Sequence, residues 1–293
     1  MIYRAKLKDA TVPLHMMKYY QKKQDKNYQN PPIPNGFSFV KGKWNSGYTI
    51  QNDSDGSLFL WIPVGAMPQN STEDGVIFNK KFGRNEFPCE NDVGYKMDCF
   101  FDDAVIAYKR IIEQTGGFYI SCFIASWKKN SIIFTKGNEP MITDSHKIEK
   151  ICNNYAKNLD GVKSMAVSGA SYDCMVKYLM LQTNENEDLF ENSRKWNAYN
   201  SKKTGENTGF YGIYDLGMFG EFTTEINTNF YVVRGEMKSI ASRTVKNWRK
   251  PIRNAFRVVL YVDSVLDSFE KGFQSMTRKI ENYETCTKKK NIA

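Results

Sequence analysis

Nowhere in the 293-residue chain do about 18 apolar residues follow one another, so the sequence offers no membrane-spanning helix. Histidine is scarce. Only His15 and His146 occur, far apart and without an HxxxHxE spacing, which leaves no histidine-built metal centre in view. The six cysteines, Cys89, Cys99, Cys122, Cys152, Cys174 and Cys286, form no CxxC pair, which excludes a zinc ribbon and a thioredoxin-type site. The first ten residues already carry charges and no continuous apolar core follows, so the N-terminus does not read as a secretory signal. Without that signal, disulfides are not expected. Cys122 in a strand-like pattern and Cys152 and Cys174 in helix-like ones read as buried free thiols. No internal repeat is evident, and Ser168-Gly169-Ala170-Ser171 lacks the GxSxG of a nucleophile elbow and reads as a helix entry.

What is present is an ordinary apolar fraction, many Phe and Tyr residues, and an excess of basic over acidic side chains that gives a formal net charge of +9. The composition fits a sheet-rich globular body with an affinity for anions. The chain divides into an N-terminal arm (1–32), a main domain (33–262) and a C-terminal helix with a basic tail (263–293). The Pro31-Pro32-Ile33-Pro34 stretch marks the first boundary, because prolines favour extended chain. Strands are expected from about Phe37 to Val64, with a turn at Asn52-Asp53-Ser54-Asp55-Gly56. The alternating Asp residues of that turn suggest the start of a calcium loop, but the later acidic ligands are missing, so a plain turn is the reading.

Residues 66–95 read as a loop-rich insertion. Asp102 to Gln114 fits either helix or strand. Ser145 to Asn158 predicts a helix with Ile148, Ile151, Cys152 and Tyr155 on one face. Ser171 is expected to cap a second helix whose Met175, Tyr178 and Leu179 face inward. Asn184 to Gly209 is a polar, Asn-rich loop. After Val262, the residues Leu266, Phe269, Phe273, Met276, Ile280 and Tyr283 form a heptad-like stripe that packs either on its own domain or on another subunit.

Arg234 and Arg257 each sit inside an apolar, strand-like run, where a guanidinium must be paired or lie at a surface. Between them, Lys238, Arg243, Lys246, Arg249, Lys250 and Arg253 follow one another with no acidic residue from Met237 to Arg257, and Trp248 lies among them. Bidentate arginine and an aromatic face suit an anionic ligand. Arg243, Lys246, Trp248, Arg249 and Arg253 are therefore the candidate ligand- or partner-binding residues. A solvated basic loop is the plainer alternative.

The order of motifs resembles the formylglycine-generating-enzyme, or sulfatase-modifying-factor, family. Ile213-Tyr214-Asp215 and Gly217 to Thr223 match its VYD-x-x-GNVWEWT turn, Val233-Arg234-Gly235 its VLRGGS strand, and Ala255-Phe256-Arg257-Val258 its GFRVA strand. Upstream, IPNGFSFVKG and LFLWIPVGAM are similar to the opening strands, with Phe59, Trp61, Pro63 and Val64 in a FVWIPV pattern. GGFYISCFIAS resembles the GFYIGRYE strand, and the segment from His146 to Met180 resembles the family's two helices and the loop between them. The resemblance spans about residues 33–262. It implies an α+β fold, an elaborated C-type-lectin-like domain with short twisted sheets, two main helices and much irregular chain.

The same resemblance argues against the family's chemistry. Formylglycine generation needs two thiolates for Cu(I), a soft ion that prefers sulfur. The family places them between the RGGS and GFR strands, and Glu236 to Ala255 contains no cysteine here. The chain is thus expected to be a catalytically degenerate member with no catalytic residues and no metal site. Glu221 survives from the turn that holds Ca2+ in some relatives, but one carboxylate does not build an oxygen cage, and no cofactor is expected. The functional expectation is a non-catalytic binding or structural module, a phage or prophage virion component in tail or surface. It would recognise a host-surface ligand such as an anionic glycan, or dock other assembly subunits as an oligomer, residing in the virion or in the cytoplasm before assembly. The alternative is a metal-dependent oxidoreductase of the same superfamily with a non-standard site.

Overall fold

Each central strand carries two alternating sets of apolar side chains, one for each face, as expected of a sheet covered on both sides. In the computed structural model, β3 (Leu58–Pro63) sends Leu60 and Ile62 into one core cluster and Phe59 and Trp61 into another. Strand β4 (Gly117–Ser121) divides Phe118 and Ile120 from Tyr119, and β13 (Val258–Val262) divides Val259 and Tyr261 from Val258, Leu260 and Val262. With β1 (Phe37–Lys43), β2 (Ser46–Asn52) and β8 (Val162–Ala166), they make a six-stranded antiparallel sheet in the order β1-β2-β3-β4-β13-β8. The structure describes residues 31–44, 46–64, 103–183, 202–206, 211–226, 229–236, 240–249 and 253–262. The expected insertion (66–95), residues 1–30 of the arm, the C-terminal helix and most of the Asn-rich loop lie outside the described residues, as do Cys89, Cys99 and Cys286.

Helix α1 (Asp103–Thr115) settles the segment that the sequence left open. Its Tyr108, Ile111 and Ile112 fall at helical spacing and enter the first cluster, where Tyr108 stacks on Tyr261 with ring centroids 4.1 Å apart. Helix α2 (Ser145–Tyr155) lays Ile148 and Cys152 into the second cluster, with Ile151 and Tyr155 half-buried beside them. Asp144 caps it by accepting a hydrogen bond from the His146 amide. Helix α3 (Gly169–Thr183) buries Met175, Tyr178 and Leu179 as expected, but its cap is Ser168 rather than Ser171. The Ser168 hydroxyl accepts the amide of Ser171 at 2.9 Å, which puts Ser171 inside the first turn. The described chain therefore holds three helices where two main ones were expected.

A second, three-stranded antiparallel sheet has the order β11-β10-β9, formed by β9 (Glu221–Ile226), β10 (Phe230–Arg234) and β11 (Arg243–Asn247). Its Phe222, Tyr231 and Val233 join the second cluster. Two small ladders complete the architecture: β5 (Ser126–Lys128) with β6 (Ser131–Ile133), and β7 (Thr143–Asp144) with β12 (Arg253–Asn254). The protein is thus mixed α+β and mostly sheet. Among the described residues, no helix is long and apolar enough to cross a membrane.

The strands expected between Phe37 and Val64 are β1, β2 and β3. The Asp53-Ser54-Asp55-Gly56 cluster is a turn in which Asn52 Oδ1 accepts from Ser54 and Asp55 Oδ1 from the Ser57 amide. Ile33 is buried in the second cluster, so the proline stretch is packed against the domain. Cys122, Cys152 and Cys174 are buried free thiols. Burial pushes the Cys122 thiol up to about 12 and that of Cys152 well above the ordinary range.

Candidate binding face

The five candidate residues do not share one environment. Arg243, the first, points inward. It stands directly opposite Arg234 in the β10–β11 register, and both guanidiniums meet the one carboxylate of Asp173 on α3. Arg234 Nη2 lies 2.7 Å from Asp173 Oδ1, and Arg243 Nη2 lies 2.8 Å from Oδ2. Arg234 also donates to the Ala241 carbonyl, and its guanidinium carbon sits 4.5 Å from the centre of the Tyr172 ring. Burial works against the charge on Arg234. Asp173 and Glu225 outweigh it and raise its pKa above the ordinary value. Arg243 therefore anchors the small sheet to α3 and does not belong to an exposed face.

Arg257 has the same kind of role between the sheets. It is fully buried, and Nε donates to Glu221 Oε2 at 2.8 Å. Nη1 donates to the carbonyls of Ser121 and Cys122, and Nη2 to that of Tyr214. Glu221 is therefore the counter-ion of Arg257, although the resemblance singled it out as a remnant calcium ligand. Beside them lies Asp215, in the left-handed region at φ 63°, accepting from the amides of Gly205 and Ile124. Burial raises the pKa of both Asp215 and Glu221, and the Arg257 charge only partly counters it. Two carboxyls thus face one guanidinium, and Glu221 Oε1 is buried without a hydrogen-bond partner.

The remaining candidates lie further out. Lys246 is half-buried and paired with Glu236 at 2.6 Å. Trp248 follows the end of β11 and lies half-buried on Tyr231, with ring centroids 4.6 Å apart, and near Phe222 at 6.2 Å. Arg249 is exposed, its amide bonded to the Asn247 side chain. Arg253 is exposed on β12, where Nε and Nη2 both donate to the Ile142 carbonyl. The β7–β12 ladder sets Arg253 opposite Asp144.

That ladder brings in a residue that the sequence reading did not select. His146 on α2 lies 5.0 Å, centroid to centroid, from Trp248, and its Nδ1 is 3.0 Å from Asp144 Oδ1. The carboxyl of Asp144 is held below its ordinary pKa by these His146 hydrogen bonds. Nothing in the sequence pairs position 146 with position 248; only the packing of α2 beside the small sheet does. His146 and Trp248 are thus in ring contact, Arg249 follows Trp248 in the chain, and the ladder sets Arg253 opposite the helix cap Asp144. Among the described residues, no group of three or more His, Cys, Asp or Glu side chains is placed to hold a metal ion.

Comparisons of this chain with family models, with curated proteins and with solved structures find no match.

Proposed function

We propose that this chain is a non-catalytic binding or structural module with an elaborated C-type-lectin-like, formylglycine-generating-enzyme-like fold, serving as a phage or prophage virion component. In this reading it recognises a host-surface anionic ligand or docks a partner subunit through Trp248, Arg249 and Arg253, with His146 added to that face. One observation carries the reading: a half-exposed tryptophan fixed from beneath by Tyr231 and Phe222, followed in the chain by the exposed Arg249 and Arg253. Fixed aromatic planes bind at a low entropic cost, and arginine pairs with carboxylate and phosphate in two-pronged fashion. The missing thiolate pair between Glu236 and Ala255 argues against copper chemistry of the family type.

Charge reversal at Arg249 and Arg253 tests this reading. Attachment to cells or to the partner should weaken, with the largest loss at low salt, because exposed charges are screened over about 10 Å at 0.1 M. Binding unchanged across a salt series would leave a solvated basic loop. A peptide-oxidation assay with added Cu(I) addresses the oxidoreductase alternative: turnover that depends on any cysteine of this chain would refute the non-catalytic reading.

A further inference from the structure

A second set of exposed basic residues comes from parts of the chain that the basic stretch from Met237 to Arg257 does not include. Strands β5 and β6 form a hairpin closed by Lys129 and Asn130, both in the left-handed region at φ 47° and 63°. Asparagine tolerates that conformation, whereas lysine is held there against its preference. The hairpin carries Trp127, the most exposed large apolar side chain described at 51%, followed by exposed Lys128 and Lys129. Its cross-strand neighbour Ile132 packs toward the core, so the indole stands on an anchored ladder.

A separate loop is stitched beside this hairpin. Gly137 donates to the Thr204 carbonyl at 2.7 Å, Thr204 donates to that of Asn138 at 2.8 Å, and the Thr204 hydroxyl donates to that of Thr135 at 2.6 Å. These bonds hold exposed Lys202 and Lys203 next to exposed Lys136. The approach is close: a Cβ placed on Gly205 would lie 2.9 Å from Lys136 Cγ. Glu206 is turned to its own loop, accepting the amides of Lys202 and Lys203, which together hold its carboxyl below the ordinary pKa. Glu139 is the other exposed acid nearby. Five exposed lysines thus lie on the hairpin that carries the half-exposed indole, on the loop that follows it and on the loop bonded to that one.

We propose that Trp127, Lys128, Lys129, Lys136, Lys202 and Lys203 form a binding surface for single-stranded nucleic acid. Lysine only donates hydrogen bonds, and the non-bridging phosphate oxygens only accept them. Sugar hydroxyls need acceptors as well as donors, so a neutral glycan is poorly matched to this surface. One indole buries too little apolar surface to hold a protein at a bilayer, where stable anchoring takes two signals. An exposed indole among cations is the arrangement that stacks an unpaired base while the charges follow its backbone.

The test uses the full chain and a fluorescein-labelled oligothymidylate of about 15 nucleotides, within the span that single-strand binders cover. Fluorescence anisotropy across a salt series should give a slope of log K against log salt of about −2 to −3.5, as expected for three to five phosphate contacts. Trp127→Ala should weaken binding roughly tenfold, within the range seen for loss of one stacked base. The double variants K128E/K129E and K202E/K203E should each weaken it further and flatten the slope. All these side chains are exposed, so unchanged thermal unfolding of each variant would separate lost binding from lost fold. R249E/R253E should bind the oligonucleotide as the parent does, which keeps this test apart from that of the Trp248 face. The proposal is overturned if the lysine variants bind as the parent does. Loss of binding through R249E/R253E alone would also overturn it. So would Trp127-dependent sedimentation with phosphatidylserine vesicles that the oligonucleotide does not compete away.

Discussion

Arg234 and Arg243 face each other across the β10–β11 ladder and hold opposite oxygens of one carboxylate, that of Asp173. Like charges directly opposite in a ladder repel, so this pairing depends on an anion delivered from outside the sheet. Helix α3 delivers it in its first turns. The packing of the small sheet on α3 and the placement of the two arginines are therefore one arrangement.

Asp173→Asn should be among the most damaging single changes in the protein. It keeps the shape and removes the one carboxylate charge that the two buried guanidiniums share. Loss of one partner from a buried pair typically costs about 3–5 kcal/mol. Urea unfolding of the parent and variant gives the value, and a loss below about 1 kcal/mol would show that the pair is effectively solvated.

Gly169→Ala should destabilise even though alanine is the better helix former by about 1 kcal/mol. A Cβ at position 169 would lie 2.4 Å from Glu225 Oε2, so the buried Glu225 side chain must move. A loss of about 1–3 kcal/mol is expected for such overpacking. A thermal midpoint equal to or above that of the parent would contradict the close approach.

Asp215 and Glu221 set the sign of the pH dependence. Both folded pKa values are raised above the ordinary carboxyl values of 3.8 and 4.5, so the folded state holds protons more tightly than the unfolded one. Their contribution to stability is full below those ordinary values and is lost as pH rises through the folded pKa values. The unfolding midpoint should therefore climb as pH is lowered from the alkaline side into the mildly acidic range. Further acidification reverses the trend once Asp144 and Glu206, whose pKa values are lowered, take up protons. Asp215→Asn should flatten the climb, and an unaltered profile in that variant would assign it to other groups.

Cys122, Cys152 and Cys174 should resist alkylation in the folded protein. The thiolate is the reactive form, and burial suppresses it at Cys122 and Cys152. Mass spectrometry after iodoacetamide treatment should show these three unlabelled until denaturant is added. Labelling at rates typical of exposed thiols would place them outside the core.

The pairing of Arg234 and Arg257 was legible in the sequence, because a guanidinium in an apolar run has few places to go. The partners were not: Asp173 lies 61 positions before Arg234, and Glu221 lies 36 before Arg257. The opening strands and the Asn52–Gly56 turn were legible through alternation and turn residues. Helix α1 was not, because its Tyr108, Ile111 and Ile112 also suit a buried strand until Gly116 closes the helix, donating to the Ile112 carbonyl. The basic stretch was read as one face because charge along a chain says nothing about direction. Strand geometry turned Arg243 inward, and the short β12 turned Arg253 outward. His146 and the Lys202–Lys203 pair joined their surfaces through contacts that no local pattern encodes.

The order of strands in the large sheet constrains how the protein is made. The sheet needs β13 between β4 and β8, and β13 is the last strand described along the chain. While the ribosome has yet to release residue 262, β4 and β8 each present an open edge, and Arg257 has not arrived to meet Glu221. A nascent chain stalled before that point carries two unsatisfied strand edges and an unmatched buried acid. Its two main-sheet segments can join only once β13 has been made, and until then the open edges are exposed to other chains.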